Sequence, residues 1–163
     1  MHTHDTPLGT LSLAASAAGL TRCSFRPALA RPERPTDPAE AAIVDQARRE
    51  LDDYLAGRLR EFTVPVDLSN VDPERRRILA GLTEVGYGGT TSYGALATAL
   101  GMVGYEGARA VGAAMAANPV LIVVPCHRVL GASGKLTGYA GGLEVKRRLL
   151  ELELHDRAEP SLW

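Results

Sequence analysis

The chain has 163 residues, of which 45% are apolar and 23% charged, with a formal net charge of −1. That is enough chain to bury a core, in one domain or two small ones, and no stretch approaches the run of about 20 apolar residues that a membrane span needs. Two cysteines are too few for a disulfide framework, and MHTHDTPLG lacks the basic and apolar regions of a secretory signal, so a reducing, cytoplasmic setting is expected.

Residues 10–25 alternate as a hairpin, with Leu11, Leu13, Leu20, Cys23 and Phe25 on the apolar side and a small-residue turn at Ser16–Gly19. Pro27, Pro32 and Pro35 mark residues 26–36 as a loop. Asp37, Pro38 and Glu40 form a helix start, and Val44, Ala47, Leu51, Tyr54 and Leu55 recur at helical spacing up to Gly57. Phe62–Val66 reads as a short edge strand, because Pro65 cannot donate to a central ladder. A domain boundary is expected near Leu68–Val71, giving domains over 1–70 and 71–155 and a mobile tail over 156–163.

Asp72-Pro73 starts a further helix with Ile78, Leu79 and Leu82 facing inward. Ser92 caps a short helix that Gly101 stops, and a second helix is expected over 107–117, ended by Asn118-Pro119. Two short helices across a turn read as a helix-turn-helix. The apolar run Val120–Val124 predicts a buried strand, and the last helix is expected from Leu143 to Leu154. The class is therefore α+β: a small amino-terminal α/β domain with a short sheet, then a mainly helical domain.

The most informative segment is VVPCHR (123–128). A cysteine is a good nucleophile only as the thiolate, so a reactive one needs a base or a cation nearby. Cys126 alone would read as a buried structural thiol. Asn118-Pro119 before the apolar run, the glycine-rich LTGYAGGL (136–143) after it and a helix that carries Lys146 and ends on Glu153 reverse that reading. His2, His4 and Cys23 could offer three zinc ligands, but no C-x-x-C or H-x-x-x-H spacing accompanies them. Neither metal nor cofactor is expected.

TSYGALA (91–97), ARAVGAAM (108–115), NPVLIVVPCHRVLGASGKLTGYAGGL (118–143) and KRRLLELE (146–153) together resemble the O6-alkylguanine-DNA alkyltransferases, with weaker similarity in TPLGTLSLA (6–14). The resemblance implies single-use transfer of an alkyl group from O6 of guanine, or alternatively O4 of thymine, to Cys126. It implies His127 as the base acting through a water, Glu153 as its orienter, Asn118 as a hinge and Tyr93 as a hydrogen-bond partner of the guanine. Met115, Val129, Tyr139, Ala140 and Gly141 would line the pocket. The partner would be double-stranded DNA, held in the minor groove without strong sequence preference by Ser92, Arg109, Ala110, Gly112, Arg75 and Arg128, with Arg109 filling the gap of a flipped nucleotide. A monomer is expected, with cooperative assembly on DNA as the alternative.

The slim second helix, with Ala108, Ala110, Gly112, Ala113 and Ala114, would by itself read as tight helix packing, and taken with the Cys126 motif it suits a minor groove better than base readout. Some residues depart from the family's usual pattern: Glu74 and Arg75 at the opening of a helix, Ala116 and Ala117 before Asn118, a longer turn over 101–107, and NPVLI. Two other functions compete with this one. A damage sensor that has lost the acceptor is disfavoured because Cys126 is present. A turnover cysteine hydrolase is disfavoured because such enzymes place their histidine far from the cysteine in sequence.

Overall fold

The structure, a computed structural model, describes residues 2–27 and 37–158. The expected loop beyond Pro27 and the tail beyond Ala158 lie outside the described residues. The architecture is α+β, and the chain forms two compact units. One contains the chain up to Asn70 together with Pro119–Val123; the other contains Val71–Asn118 and the chain from Val124 onward.

In the first unit β1 (His2–Thr6), β2 (Gly9–Ser16) and β3 (Gly19–Ser24) form an antiparallel sheet in that order. Leu11 and Leu13 of β2 and Leu20 and Cys23 of β3 are wholly buried. α1 (Pro38–Leu55) packs across this sheet. Asp37 caps it, accepting from the Ala39 N–H at 2.8 Å, and Pro38 occupies the first turn, where no N–H is needed. Its buried stripe is Val44, Ala47, Leu51 and Tyr54, spaced by three or four residues.

Phe62–Val66 is not the expected strand. Glu50 of α1 takes its donors instead: the Thr63 and Val64 N–H groups donate to Oε1 at 2.6 and 3.0 Å. Only one parallel bridge remains, Leu20 to Val66, with the Leu20 N–H donating to the Pro65 carbonyl at 2.8 Å. Gly19 is required there, since a Cβ would sit 2.8 Å from the Pro65 carbonyl.

The run after Pro119 also differs from the expected strand. It bridges β3 once, at Cys23 and Val120, with the Cys23 N–H donating to Pro119 at 2.9 Å and the Leu121 N–H donating to Cys23 at 2.8 Å. It then turns sharply. The Val123 N–H donates to the Leu121 carbonyl at 2.8 Å around Ile122, whose φ is 72°, which is a γ-turn. A β-branched residue in that conformation is rare and strained. Burial of Val120, Leu121 and Ile122 in the core offsets the strain.

The second unit begins with α2 (Pro73–Gly81), capped by Asp72, with Ile78 and Leu79 buried. β4 (Thr91–Ser92) pairs in parallel with β5 (Val129–Leu130). α3 (Tyr93–Ala99) starts on Ser92, whose Oγ accepts from the Ala95 N–H at 3.0 Å. It ends with Gly101 at φ 76°, and the Met102 and Gly101 N–H groups return to the Ala97 and Thr98 carbonyls at 2.8 and 3.0 Å. That double closure is the Schellman arrangement.

α4 (Gly104–Ala116) starts three residues earlier than expected, because Gly104, at φ 74°, turns the chain into the helix directly after Val103. Its buried face is Gly107, Val111, Ala114 and Met115. α5 (Leu143–Ala158) runs past the expected end at Leu154. Among the described residues no helix is long and apolar enough to cross a membrane.

Candidate active site

Pro125 (φ −82°, ψ 59°) makes a second γ-turn of the opposite hand, closed by the Cys126 N–H on the Val124 carbonyl at 2.8 Å. This turn breaks extended structure and opens a short 3-10 helix, Cys126–Arg128. Because consecutive residues on a helical turn diverge, Cys126, His127 and Arg128 point to different neighbours although they are adjacent in sequence.

Cys126 is 4% exposed. Burial pushes its thiol up to about 11, opposed by a hydrogen bond from the Asn118 side chain and by the nearby Lys146 ammonium. At neutral pH the sulfur therefore carries its proton, and a reaction there needs a base. Asn118, just beyond the end of α4, also donates from Nδ2 to the Val124 carbonyl at 3.0 Å. One amide thus ties the end of the helix-turn-helix to the backbone that presents the cysteine.

His127 is wholly buried and its Nε2 lies 2.7 Å from Glu153 Oε2. Burial pulls its pKa below the usual histidine value, and Glu153 opposes the shift. A neutral imidazole beside a carboxylate donates through Nε2–H, which leaves the Nδ1 lone pair to accept a proton. Nδ1 has no hydrogen-bond partner within the protein among the described residues.

Glu153 is 1% exposed and is held by four donors. Besides His127 these are Arg128 Nε at 2.8 Å, Arg128 Nη2 at 3.1 Å and the Gly88 N–H at 3.2 Å. Arg128 also donates from Nη1 to the Val85 carbonyl at 2.7 Å and lies 5.9 Å from the Tyr87 ring centroid. This corrects the expectation that Arg128 faces DNA. It is buried, and its guanidinium is committed to the carboxylate that orients His127.

Lys146 was not among the expected site residues. Its side chain is wholly buried, and Nζ donates to the Val129 and Thr137 carbonyls at 2.7 and 2.8 Å and reaches Gly138 at 3.5 Å. Burial lowers its pKa and the Cys126 sulfur opposes this. The ammonium pins the loop that leads to Tyr139, Ala140 and Gly141. The signal was present in α5: Lys146, Leu149 and Glu153 are spaced three and four apart, so two charges stand on the core-facing stripe of one helix.

Tyr93 opens α3, and its hydroxyl accepts from Thr137 Oγ1 at 3.1 Å. The β4–β5 pairing, Ser92 opposite Leu130, sets this tyrosine beside the chain that follows the cysteine. Of the expected pocket residues, Met115 and Val129 are buried, and Tyr139, Ala140 and Gly141 are half-buried on the pinned loop.

Arg109 is exposed on α4, and Ala110 and Gly112 are half-buried. A shallow groove on this face is lined by Glu74, Met102, Val103, Glu106, Arg109 and Ala110. Of the basic run on α2, Arg77 donates to the Leu100 carbonyl and Arg76 to Val71 at 3.1 Å, while the exposed Arg75 side chain makes no such contact among the described residues. Among the described residues no group of three or more histidine, cysteine or acidic side chains could hold a metal ion. His4 Nε2 instead meets Asp52 at 2.7 Å, and Cys23 is buried in the first unit's core.

Comparison with known proteins covers both units. Residues 73–155 match the DNA binding domain of the 6-O-methylguanine DNA methyltransferases, and residues 1–68 match their ribonuclease-like domain. The methylated-DNA–protein-cysteine methyltransferase of Mycobacterium tuberculosis is 46% identical over 155 residues, covering 93% of this chain and 90% of its own. The protein of that name from Methanosarcina acetivorans is 39% identical over 150 residues, covering 91% and 94%. Among solved structures, Mycobacterium tuberculosis OGT in complex with DNA superposes with a TM-score of 0.80 at 44% identity, covering 94% of this chain and 92% of that one. With both of its units accounted for in this way, the chain belongs to the 6-O-methylguanine DNA methyltransferase family.

Proposed function

We propose that this protein repairs DNA by direct reversal, taking an alkyl group from O6 of guanine onto Cys126 in a single irreversible event. The observation that carries the reading is the buried Cys126 with a neutral His127 clamped by Glu153, in a chain whose relatives are named for this transfer.

An O6-alkyl carbon is out of reach inside a stacked duplex, so the nucleotide leaves the stack at a cost of a few kcal/mol. Arg109, exposed and the one cation on α4, fills the vacated place from the minor groove. The small residues around it allow close approach without base readout, and Ser92 and Arg75 contact the flanking backbone. In the pocket formed by Met115, Val129, Tyr139, Ala140 and Gly141, Tyr93 hydrogen-bonds the guanine.

His127 Nδ1 takes the Cys126 proton through a water, and Glu153 stabilises the imidazolium as it forms. The sulfur then attacks the alkyl carbon. The S–C bond forms as the O6–C bond breaks, the electron pair passes to the guanine, and the proton from the thiol ends on that ring. The product is a thioether, which is no longer a nucleophile, so each molecule acts once. Neither a metal nor a cofactor takes part, and a monomer suffices.

The experiment is intact-mass measurement after exposure to a duplex that contains O6-methylguanine. One methyl group should be added per chain, on the peptide that contains Cys126. Sustained turnover, or methyl elsewhere, would contradict the reading.

A further inference from the structure

Two large apolar side chains stand almost fully in solvent at the entry to α4: Val103 is 85% exposed and Tyr105 is 79% exposed. No fold requirement explains them. The buried face of this helix is supplied by Gly107, Val111, Ala114 and Met115. Val103 stands just before the helix and Tyr105 in its first turn, and exposed apolar surface of this kind, where it is contiguous, marks a contact site.

Their position points to the occupant. Tyr105 and Arg109 are four residues apart on one helix and so share a face. Val103 and Arg109 line the same groove. The segment is held firmly, since the Gly101 closure fixes one end and a Cβ at Gly107 would lie 3.1 Å from Met102 backbone atoms at the other. The groove also carries Glu74 and Glu106, which repel phosphates, so a partner held here must be gripped by stacking and shape. Four residues of helix rise about 6 Å. Two base-pair steps rise about 7 Å.

Resting on the repair reading above, we infer that Val103 and Tyr105 form an apolar wedge against duplex DNA, about two base pairs from the nucleotide that Arg109 replaces. Minor-groove proteins commonly press apolar side chains against or between base steps. The wedge supplies on one side of the lesion the hold that the acidic groove cannot supply by charge.

The test compares wild-type protein with Tyr105→Ala, Tyr105→Phe and Val103→Ala, measuring methyl transfer from duplexes with a central O6-methylguanine. Tyr105→Ala should slow transfer about tenfold at limiting protein, the loss of one weak stacking contact, while Tyr105→Phe keeps the wild-type rate and Val103→Ala lies between. Duplexes trimmed to one base pair beyond the lesion, on either side in turn, locate the contact. Trimming the correct side should remove the difference between wild type and Tyr105→Ala. Thermal midpoints should agree, because both side chains are exposed. A Tyr105→Ala rate equal to wild type, or a deficit that survives both trimmed duplexes, would overturn the wedge. So would Tyr105-dependent self-association of the protein without DNA, which would make the patch a contact between copies. Failure of wild-type protein to react with any duplex would instead sink the repair reading itself.

Discussion

Cys23 and Cys126 are both buried, at 0% and 4% exposure, and burial raises both thiols, to about 12 and about 11. Cys23 sits in the first unit, where burial is the one influence on it. Cys126 has an asparagine amide on its sulfur, a lysine ammonium close by and a charge-clamped histidine next in the chain. Depth alone makes a thiol inert in either place. The difference lies in the polar groups that the second unit buries around one of them, and those groups are costly enough to be satisfied nearly completely.

The largest expected effect tests that difference directly. Cys126→Ser should abolish methyl transfer, while Cys23→Ser leaves the rate unchanged and lowers only the thermal midpoint. A Cys23 variant that reacts poorly at a temperature where it is folded would break the comparison.

Next in size is Glu153→Gln. It leaves Arg128 buried without its counter-charge and takes from His127 the partner that sets its tautomer. Breaking such a pair costs about 3–5 kcal/mol of stability. The transfer rate of the folded variant should fall on the order of a thousandfold, as when a base loses its orienter. Single-turnover kinetics together with chemical denaturation reads both.

Arg109→Ala probes a residue outside the thiol's surroundings. Transfer from duplex DNA should slow on the order of a hundredfold if a few kcal/mol of extruded-state stabilisation is lost. Stability should change by less than about 0.5 kcal/mol. Reaction with the free base O6-benzylguanine, which needs no extrusion, should keep its wild-type ratio. Equal slowing with both substrates would remove the assignment.

Lys146→Met should cost about 1–3 kcal/mol, because buried carbonyls lose their donor. It should also loosen the loop that carries Tyr139–Gly141, read as faster amide exchange there. A Cys23 variant should leave exchange in that loop unaltered.

The smallest effect is on acid stability. The folded pKa of His127 lies below its ordinary 6.5, so the unfolded chain binds the extra proton first. Its contribution is complete above about pH 6.5 and is lost as pH falls through the folded value, with a slope of at most about 1.4 kcal/mol per pH unit. Denaturation series from pH 8 to pH 5 should show this fall in wild type and less of it in His127→Gln.

Short-range chemistry was legible in the amino-acid order. The Asp37-Pro38 and Asp72-Pro73 starts, the Ser92 cap and the Gly101 stop each depend on residues within one turn, and each stands where it was expected. What failed carried no such local punctuation. Phe62–Val66 loses its strand to Glu50, and Val120–Val124 loses its strand to two γ-turns. Arg128 was expected at the DNA because its sequence neighbours say nothing of a carboxylate 25 residues on. The proximity of Cys126, His127 and Glu153 came through resemblance alone, and only their packed geometry shows which nitrogen of His127 meets the carboxylate.

The place of Pro119–Val123 in the first unit bears on how the chain is made. Residues 119–121 hydrogen-bond the outer edge of β3 through both backbone groups of Cys23. During synthesis the first seventy residues emerge well before that segment exists. Until it arrives the Cys23 end of β3 is an open edge, since only the Leu20 end is covered by residues 65–67, and such an edge is the kind of surface on which nascent chains pair with the wrong neighbour. An early domain that cannot close without a late strip of chain completes its fold only after the nucleophile's own neighbourhood has begun to leave the ribosome.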